Sequence, residues 1–301
     1  MELGMIGLGR MGANMAERLG RGGHRVTGFD PDPDARNAAE RSGIGTVASL
    51  DELVGRLAAP RILWMMVPSG RITEDTVNGL LTRLAAGDTI IDGGNSNYRH
   101  TLASASAAAA KGIHFVDCGT SGGVWGLAQG YSMMVGGDDE TVERLRPIFE
   151  TLAPGKDTGW GHVGPVGAGH FTKMVHNGIE YGLMQAYAEG FSIMKHKADF
   201  RLDLHQIAEI WRFGSVVRSW LLDLTADALG KNPGMDGIAP YVVDSGEGRW
   251  TVAEAIDLDV PAPIITAALI ERLRSRDADS FSDKLLAAMR NEFGGHPIRK
   301  E

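Results

Sequence analysis

Residues 4–12 read Gly4-Met5-Ile6-Gly7-Leu8-Gly9-Arg10-Met11-Gly12, and this stretch decides how the rest of the chain is read. Gly7, Gly9 and Gly12 have the spacing Gly-x-Gly-x-x-Gly. With 41 glycines in the chain that spacing also arises by chance, so its context carries the argument. A short apolar run, Leu3–Ile6, precedes it, and Met15 and Leu19 follow at helical spacing. In a strand–turn–helix unit the first glycine permits the tight turn and the second lets backbone approach a pyrophosphate. The third allows the helix to lie close to the strand, while the free N–H groups of the helix start attract phosphate. Leu8, Arg10 and Met11 fill the same turn and count with the glycines as cofactor contacts. The next apolar run ends in Gly28-Phe29-Asp30, 18 residues beyond Gly12. A carboxylate there accepts from a ribose 2′-OH and repels a 2′-phosphate, which predicts NAD in preference to NADP.

Outward from this unit, the first half alternates apolar runs with amphipathic stretches. Strands are predicted at 3–6, 25–30, 61–67, 89–92, 114–117 and 132–136. Helices are predicted at 11–21, 33–41, 72–84, 98–110 and 140–152. Such βαβα alternation predicts a Rossmann-type, doubly wound parallel sheet. The Gly-rich stretch 155–169 interrupts the pattern, and beyond it the strand signal fades. Helical patterns follow at 168–195, 204–212, 217–229, 251–257, 262–274 and 282–289, punctuated by Pro233, Pro240, Pro261 and Pro263. The expectation is an α/β dinucleotide-binding domain at 1–164 and an all-α domain at 165–301 for substrate binding and oligomerisation.

A chain of 301 residues exceeds what one core usually serves. Hydrophobic residues at 43% and charged residues at 23% are an ordinary globular mixture. A net charge of −8, with acids and bases interspersed, disfavours nucleic acid or an anionic membrane as partner while leaving room for a local basic pocket. Cys118 is the only cysteine, so no intrachain disulfide can form and a reducing cytoplasm is expected. The first residues run straight into the glycine motif and lack the pattern of a signal peptide, and no apolar run approaches the length of a bilayer span.

Three loops fall where the C-terminal ends of strands should line a cleft. Val67-Pro68-Ser69-Gly70 fits either a cofactor contact or a simple turn. Asp92-Gly93-Gly94-Asn95-Ser96 and Cys118-Gly119-Thr120-Ser121-Gly122-Gly123 offer backbone N–H groups and short polar side chains suited to carboxylates and hydroxyls. More informative is the helix after Gly169, which reads His170-Phe-Thr-Lys173-Met-Val-His176-Asn177-Gly-Ile-Glu180-Tyr181-Gly. Lys173, His176, Asn177, Glu180 and Tyr181 share one helix face. A second stripe, Phe171, Met174, Val175, Ile179 and Leu183, is expected to bury against the core. Five different chemistries on one face suit a reaction site better than a solvated surface. Oxidation of a secondary alcohol needs a base for the hydroxyl proton, and a lysine serves once neighbours and desolvation depress its pKa. If the ketone formed is β to a carboxylate, CO2 can leave, and an acid must then protonate carbon. Glu180, about two turns beyond Lys173, could do so without a metal.

At these residues the chain resembles the decarboxylating 6-phosphogluconate dehydrogenases, over nearly its whole length. The resemblance rests on Gly7–Met15, Asp92–Tyr98, Ser121–Gly123, the highly specific Gly167–Gly182, Gly248-Arg249-Trp250-Thr251 and Arg290–His296. It implies that Lys173 is the base and then an acid assisting decarboxylation, and that Glu180 protonates the enediol. It implies that Asn95, Ser121, Gly122, Gly123, His176 and Asn177 surround the sugar-acid end. Tyr181, Arg249, Thr251, Arg272, Arg290 and His296 would gather the phosphate, with Asn95, Val67, Pro68 and Ser69 also near the cofactor. In family members the tail carrying the equivalents of Arg290 and His296 reaches into the partner subunit, which implies a homodimer or homotetramer with composite sites. The chain is similar to the short bacterial type. It departs from long members in carrying Arg249 for a lysine and Gly123-Val-Trp-Gly-Leu for an acidic loop. From NADP-dependent members it departs in having Asp30-Pro31-Asp32 where they have Asn-Arg-Thr, in agreement with NAD.

The nearest alternative is a 3-hydroxyacid dehydrogenase of the 3-hydroxyisobutyrate type, which shares the fingerprint and the Lys/Asn helix but lacks the 176–181 and 290–296 patterns. A dinucleotide-sensing protein without turnover is a third reading, opposed by Lys173 and Glu180. No histidine or cysteine spacing suits a metal. Ala153-Pro154-Gly155-Lys156 lacks the earlier glycine of a P-loop, Cys118 reads as a small buried residue, and Asp138-Asp139-Glu140 reads as a helix start.

Overall fold

The computed structural model describes residues 1–299. The chain divides into two compact units, Met1–Asn177 and the residues from Gly178 onward. The first contains eight strands: β1 Glu2–Ile6, β2 Arg25–Phe29, β3 Gly45–Val47, β4 Ile62–Met65, β5 Thr89–Asp92, β6 His114–Ser121, β7 Ser132–Gly136 and β8 Trp160–Gly164. Between them run α1 Arg10–Arg21, α2 Pro33–Arg41, α3 Leu50–Arg56, α4 Arg71–Leu81, α5 Tyr98–Ala109, the short α6 Gly126–Gln129 and α7 Asp139–Leu152. The sheet order is β3-β2-β1-β4-β5-β6-β7-β8. The chain thus winds outward from β1 in both directions, as expected of a doubly wound sheet, and the ends of β1 and β4 flank the switch point where ligands bind in such folds.

Every neighbouring pair is parallel except β6 and β7, which run antiparallel with Cys118 opposite Val135. The expected doubly wound parallel sheet is observed, with this one pair reversed: residues 122–131 between them are too few for a crossover helix that returns the chain to the same end. The short strand β3, helix α3 and strand β8 are likewise additions. Strand β8, Trp160-Gly-His-Val-Gly164, lies within the stretch read as a Gly-rich interruption. Leu3, Met5, Trp64, Ile91, Val116 and Phe149 form a buried layer on one face of the sheet, and Ile6, Leu53, Leu63, Met65, Leu80 and Ile90 another. Cys118 is buried, and desolvation pushes its thiol up to about 12. Asp138 caps α7 by accepting from Thr141 N at 2.9 Å.

The unbroken helix α8, Ala168–His196, begins in the first unit and continues into the second. There α9 Leu204–Trp211, α10 Trp220–Lys231, α11 Glu247–Asp257, α12 Pro263–Arg274 and α13 Phe281–Gly294 follow, with no strand among the described residues. Phe191, Ala208, Leu222, Ala226 and Leu229 form one small core, and Tyr181, Ala268 and Leu269 another. No described helix is long and apolar enough to cross a membrane.

Candidate active site

The turn between β1 and α1 is built by close approach. Gly7 has φ +90°, a region that L side chains avoid, and a Cβ there would lie 2.3 Å from Met66 O. A Cβ on Gly12 would lie 1.9 Å from Gly7 O, so only glycine lets α1 start against the turn. Gly9 faces open space and caps α1 with no side-chain hydrogen bond, which leaves the first N–H groups of the helix for a ligand. Leu8 N donates to Asp30 Oδ2 at 2.8 Å and Asp32 N to Asp30 Oδ1 at 2.9 Å. The carboxylate is thereby fixed at the end of β2, and each oxygen retains a lone pair for a hydroxyl donor. Arg36 donates to the carbonyls of Asp30 and Pro31, at 2.7 and 3.1 Å. These residues fit a dinucleotide whose pyrophosphate meets the helix start and whose ribose meets Asp30.

That reading predicts that Asp30→Ala narrows the preference for NAD over NADP by roughly tenfold, the scale of one hydrogen bond to a charged group. Steady-state kcat/KM with each cofactor measures it, and an unchanged ratio removes Asp30 from 2′-OH recognition.

The other loops gather at neighbouring strand ends. Residues 67–70 follow β4 beside the glycine turn: Val67 Cγ1 would be 3.2 Å from a Cβ on Gly7, and Thr73 Oγ1 donates to Pro68 O at 2.9 Å. Beyond β5, buried Asp92 accepts from Gly94 N at 3.1 Å and Ser96 Oγ at 2.7 Å, and this arch leaves Asn95 exposed. Strand β6 ends at Ser121, followed by Gly122 and Gly123. The loop whose sequence departs from the acidic type is a single 3-10 turn, Gly123–Trp125, running into α6, with Val124 and Trp125 exposed.

Helix α8 brings its lysine to β6. Asp117, wholly buried, accepts from Gly167 N at 2.6 Å and His170 N at 2.7 Å, and so holds the start of the helix. Burial pushes the Asp117 carboxyl above its ordinary range. One turn on, Lys173 crosses Gly119, where an added Cβ would lie 2.4 Å from Lys173 Cβ. Lys173 Nζ donates to Asn177 Oδ1 at 2.7 Å and lies 3.3 Å from His176 Nδ1, itself 3.1 Å from Asn177 Oδ1. Lys173 and Asn177 are buried, whereas Ile179 and Leu183 are 53% and 45% exposed. The expected burial of the second stripe is therefore corrected: it holds for Met174 and fails further along, where the polar face carries the more enclosed groups.

Farther along α8, the second unit places Tyr181 on Gly248, where a Cβ would be 2.5 Å from Tyr181 Cε2, and Thr251 on Gly178. The Arg272 guanidinium lies 3.4 Å from the Tyr181 ring centroid. Arg249 pairs with Asp244 through Nε at 3.1 Å and Nη2 at 3.2 Å, and Arg276 Nη2 reaches the same carboxylate at 2.6 Å. Tyr181 thus meets Arg272 of α12 and the first turns of α11, which carry Arg249 and Thr251. Arg290, on α13, and His296 are exposed, and no hydrogen bond or ion pair among the described residues ties either to that group. Glu180 is partly buried. Asp117, Asp244 and Arg276 escaped the sequence reading: Asp117 meets N–H groups 50 and 53 residues on, and Asp244 and Arg276 meet each other across 32. Among the described residues no group of three or more His, Cys, Asp or Glu is placed to hold a metal ion.

A glycine turn opening a doubly wound sheet, followed by a long helix that carries a buried lysine, defines a nicotinamide-dinucleotide oxidoreductase. Residues 2–164 match the NAD binding domain of 6-phosphogluconate dehydrogenase and residues 169–286 the 6-phosphogluconate dehydrogenase C-terminal domain. The chain belongs to the 6-phosphogluconate dehydrogenase family. It is 41% identical over 303 residues, covering 100% of this chain and 99% of the relative, to the NAD(+)-dependent, decarboxylating 6-phosphogluconate dehydrogenase of Haloferax volcanii. Among solved structures it is similar to Plasmodium falciparum 6-phosphogluconate dehydrogenase, studied with its cofactor NADP+ and with 6-phosphogluconate. That likeness has a TM-score of 0.85 at 27% identity and covers 100% of this chain and 66% of the other. The 3-hydroxyisobutyrate dehydrogenase of Mycobacterium tuberculosis shares the fold, with a TM-score of 0.74 at 24% identity over 92% of this chain and 94% of that one.

Proposed function

We propose that this chain oxidises 6-phosphogluconate with NAD and releases CO2, giving ribulose 5-phosphate, with residues 1–164 binding the dinucleotide and 165–301 the substrate. The observation that carries the reading is the buried contact of Lys173 with His176 and Asn177 where α8 lies on β6. In this scheme Lys173 Nζ, as the neutral amine, takes the proton of the substrate hydroxyl. The bound nicotinamide supplies the acceptor for the hydride. His176 and Asn177 hold the hydroxyl and the ammonium that forms, while Asn95, Ser121, Gly122 and Gly123 take the carboxylate end. The 3-keto acid loses CO2 as Lys173 returns its proton to the ketone oxygen, leaving an enediol. Glu180 then gives a proton to carbon while Lys173, neutral again, takes the proton of the enediol hydroxyl, and the carbonyl is restored. Tyr181, Arg249, Thr251 and Arg272 take the phosphate, with Arg290 and His296 contributed to the site of a second copy. Gly7, Leu8, Gly9, Arg10, Met11, Gly12, Asp30, Val67, Pro68, Ser69 and Asn95 hold the cofactor.

A homo-oligomer with composite sites is supported by the large apolar side chains exposed on the second unit, among them Ile193, Phe213, Val216 and Ile264. Action in the cytoplasm is supported by the single buried thiol, Cys118.

Protein mixed with 6-phosphogluconate and NAD should produce reduced cofactor and one CO2 for each molecule reduced. Turnover of 3-hydroxyisobutyrate with none of 6-phosphogluconate would replace this reading by that of a 3-hydroxyacid dehydrogenase.

A further inference from the structure

Asp244 stands just before α11, and its side chain is almost wholly enclosed, 4% exposed, between two arginines from different parts of the second unit. Arg249 comes from the first turns of α11. Arg276 follows the end of α12 and is itself tied down, donating from Nε to Val242 O at 2.9 Å and from Nη2 to Asp244 Oδ2 at 2.6 Å. The 242–244 strand of loop is fixed to the same helix end twice more: Val242 N donates to Ser275 Oγ at 2.9 Å and Arg272 Nη1 donates to Val243 O at 3.1 Å. The position of the Asp244 carboxylate is therefore set by α12.

What Asp244 does with that position is visible in which edge of Arg249 it takes. Both its oxygens engage the Nε–Nη2 side of the guanidinium. A guanidinium has a second, end-on edge, Nη1–Nη2, that matches the oxygens of a phosphate equally well. With the side edge occupied by an enclosed carboxylate, the Arg249 plane is fixed, and its Nη1, on a side chain about half exposed, makes no hydrogen bond among the described residues. The charges also suit an anion. Three arginines, Arg249, Arg272 and Arg276, stand against the carboxylates of Asp244 and of Glu247 in the first turn of α11, which leaves a local excess of one positive charge. The Arg249 hydrogen bond, followed by that of Arg276, holds the Asp244 carboxyl below the usual carboxylate range, so it stays ionised where the substrate phosphate is doubly charged.

We infer that Asp244, locked by Arg276, is a positioning residue that presets the phosphate-binding edge of Arg249. The inference rests on the proposed function for its ligand. It goes beyond that reading by giving Asp244 and Arg276, neither of which touches the phosphate, control over how tightly the phosphate end is held. Preorganisation of this kind raises affinity by removing the ordering cost of a long, flexible side chain.

Asp244→Asn tests it through the sign of the effect. Removing a negative charge beside an anion site strengthens anion binding if charge alone matters. Loss of the preset edge weakens it. We expect KM and the directly titrated Kd for 6-phosphogluconate to rise about tenfold while kcat stays within about twofold and NAD affinity is unchanged, the pattern of lost uniform binding. Arg276→Lys, which keeps the charge but loses the planar fork that spans Val242 O and Asp244, should shift KM in the same direction, and Asp244→Glu should restore part of the loss. It also serves should Asp244→Asn fail to fold. Unchanged or tighter 6-phosphogluconate binding in the folded variants overturns the inference. If wild-type protein does not bind 6-phosphogluconate, the functional reading itself fails. The arrangement is then judged with inorganic phosphate alone: weaker binding by Asp244→Asn than by wild type sustains the positioning role, and equal binding or none ends it.

Discussion

Lys173→Met should lower kcat by about 10²–10⁴-fold, the usual contribution of a positioned acid–base group, equivalent to roughly 2.7–5.5 kcal/mol of barrier. Methionine keeps an unbranched stem, so the contact over Gly119 and the burial at that point of α8 survive; what disappears is the nitrogen 2.7 Å from Asn177 Oδ1. Titration of NAD should show little change, because the glycine turn lies between β1 and α1 and Asp30 just beyond β2, away from α8 in the chain. A companion variant separates two roles that the first confounds. Arginine also carries positive charge but does not release its proton in proteins. If Lys173 acts by proton transfer, Lys173→Arg is as inactive as Lys173→Met; if it acts only as a fixed charge, arginine recovers much of the rate. Near-wild-type turnover in Lys173→Met would remove the base from the scheme altogether.

What could be read in the sequence, and what could not, divides along the range of the interactions involved. The glycine turn is local: Gly7, Gly9, Gly12 and their flanking strand and helix lie within 20 residues, and the fold they announced is the one observed. The helix 168–195 was equally legible because its periodicity is internal to it. Periodicity says which residues share a face and says nothing of which face is enclosed. Hence Ile179 and Leu183 were assigned to the core on hydrophobicity, while Lys173 and Asn177 proved the buried pair. The missed strands have a similar cause. Trp160-Gly-His-Val-Gly164 has two glycines and almost no apolar alternation, and it becomes a strand because β7 offers it a ladder. The return of β7 against β6 depends on the length and turn chemistry of residues 122–131, where Gly122 and Gly123 both have positive φ. Asp117 and Asp244 were the least legible. A lone carboxylate in sequence carries no mark of the N–H groups or arginines 50, 53 and 32 residues away that it meets in the fold.

The contact between β6 and α8 carries the other large expected effect. Gly119→Ala should cut kcat about 100-fold and lower the unfolding temperature by several degrees. The new Cβ would lie 2.4 Å from Lys173 Cβ, 2.7 Å from Gly169 O and 3.2 Å from Lys173 Cγ. None of these is the free end of a flexible chain, so the helix backbone or the lysine stem must move. The helix has little room to retreat as a unit. Its start is held by Asp117 through Gly167 N and His170 N, and Gly169 itself sits so close to Met134 O and Asp117 O that a Cβ there would be 2.5 and 2.7 Å from them. Overpacking of this kind costs about 1–3 kcal/mol in stability, which for a unit of this size corresponds to roughly 2–4 °C for each kcal/mol. The larger loss is in rate, because a displacement of about 1 Å at a reacting group can cost 10²-fold. Gly161→Ala on β8, where an added Cβ meets nothing within 4 Å, is the control for a glycine-to-alanine change in the same sheet and should be close to neutral in both measurements. The two effects come apart in a way that identifies the cause. A purely structural defect lowers the fraction of folded enzyme and is corrected by working well below the melting transition, whereas a displaced Lys173 leaves a fully folded, NAD-binding protein with a low kcat. Full turnover by folded Gly119→Ala would mean that the place of Lys173 against β6 is not what fixes its reach toward the substrate hydroxyl.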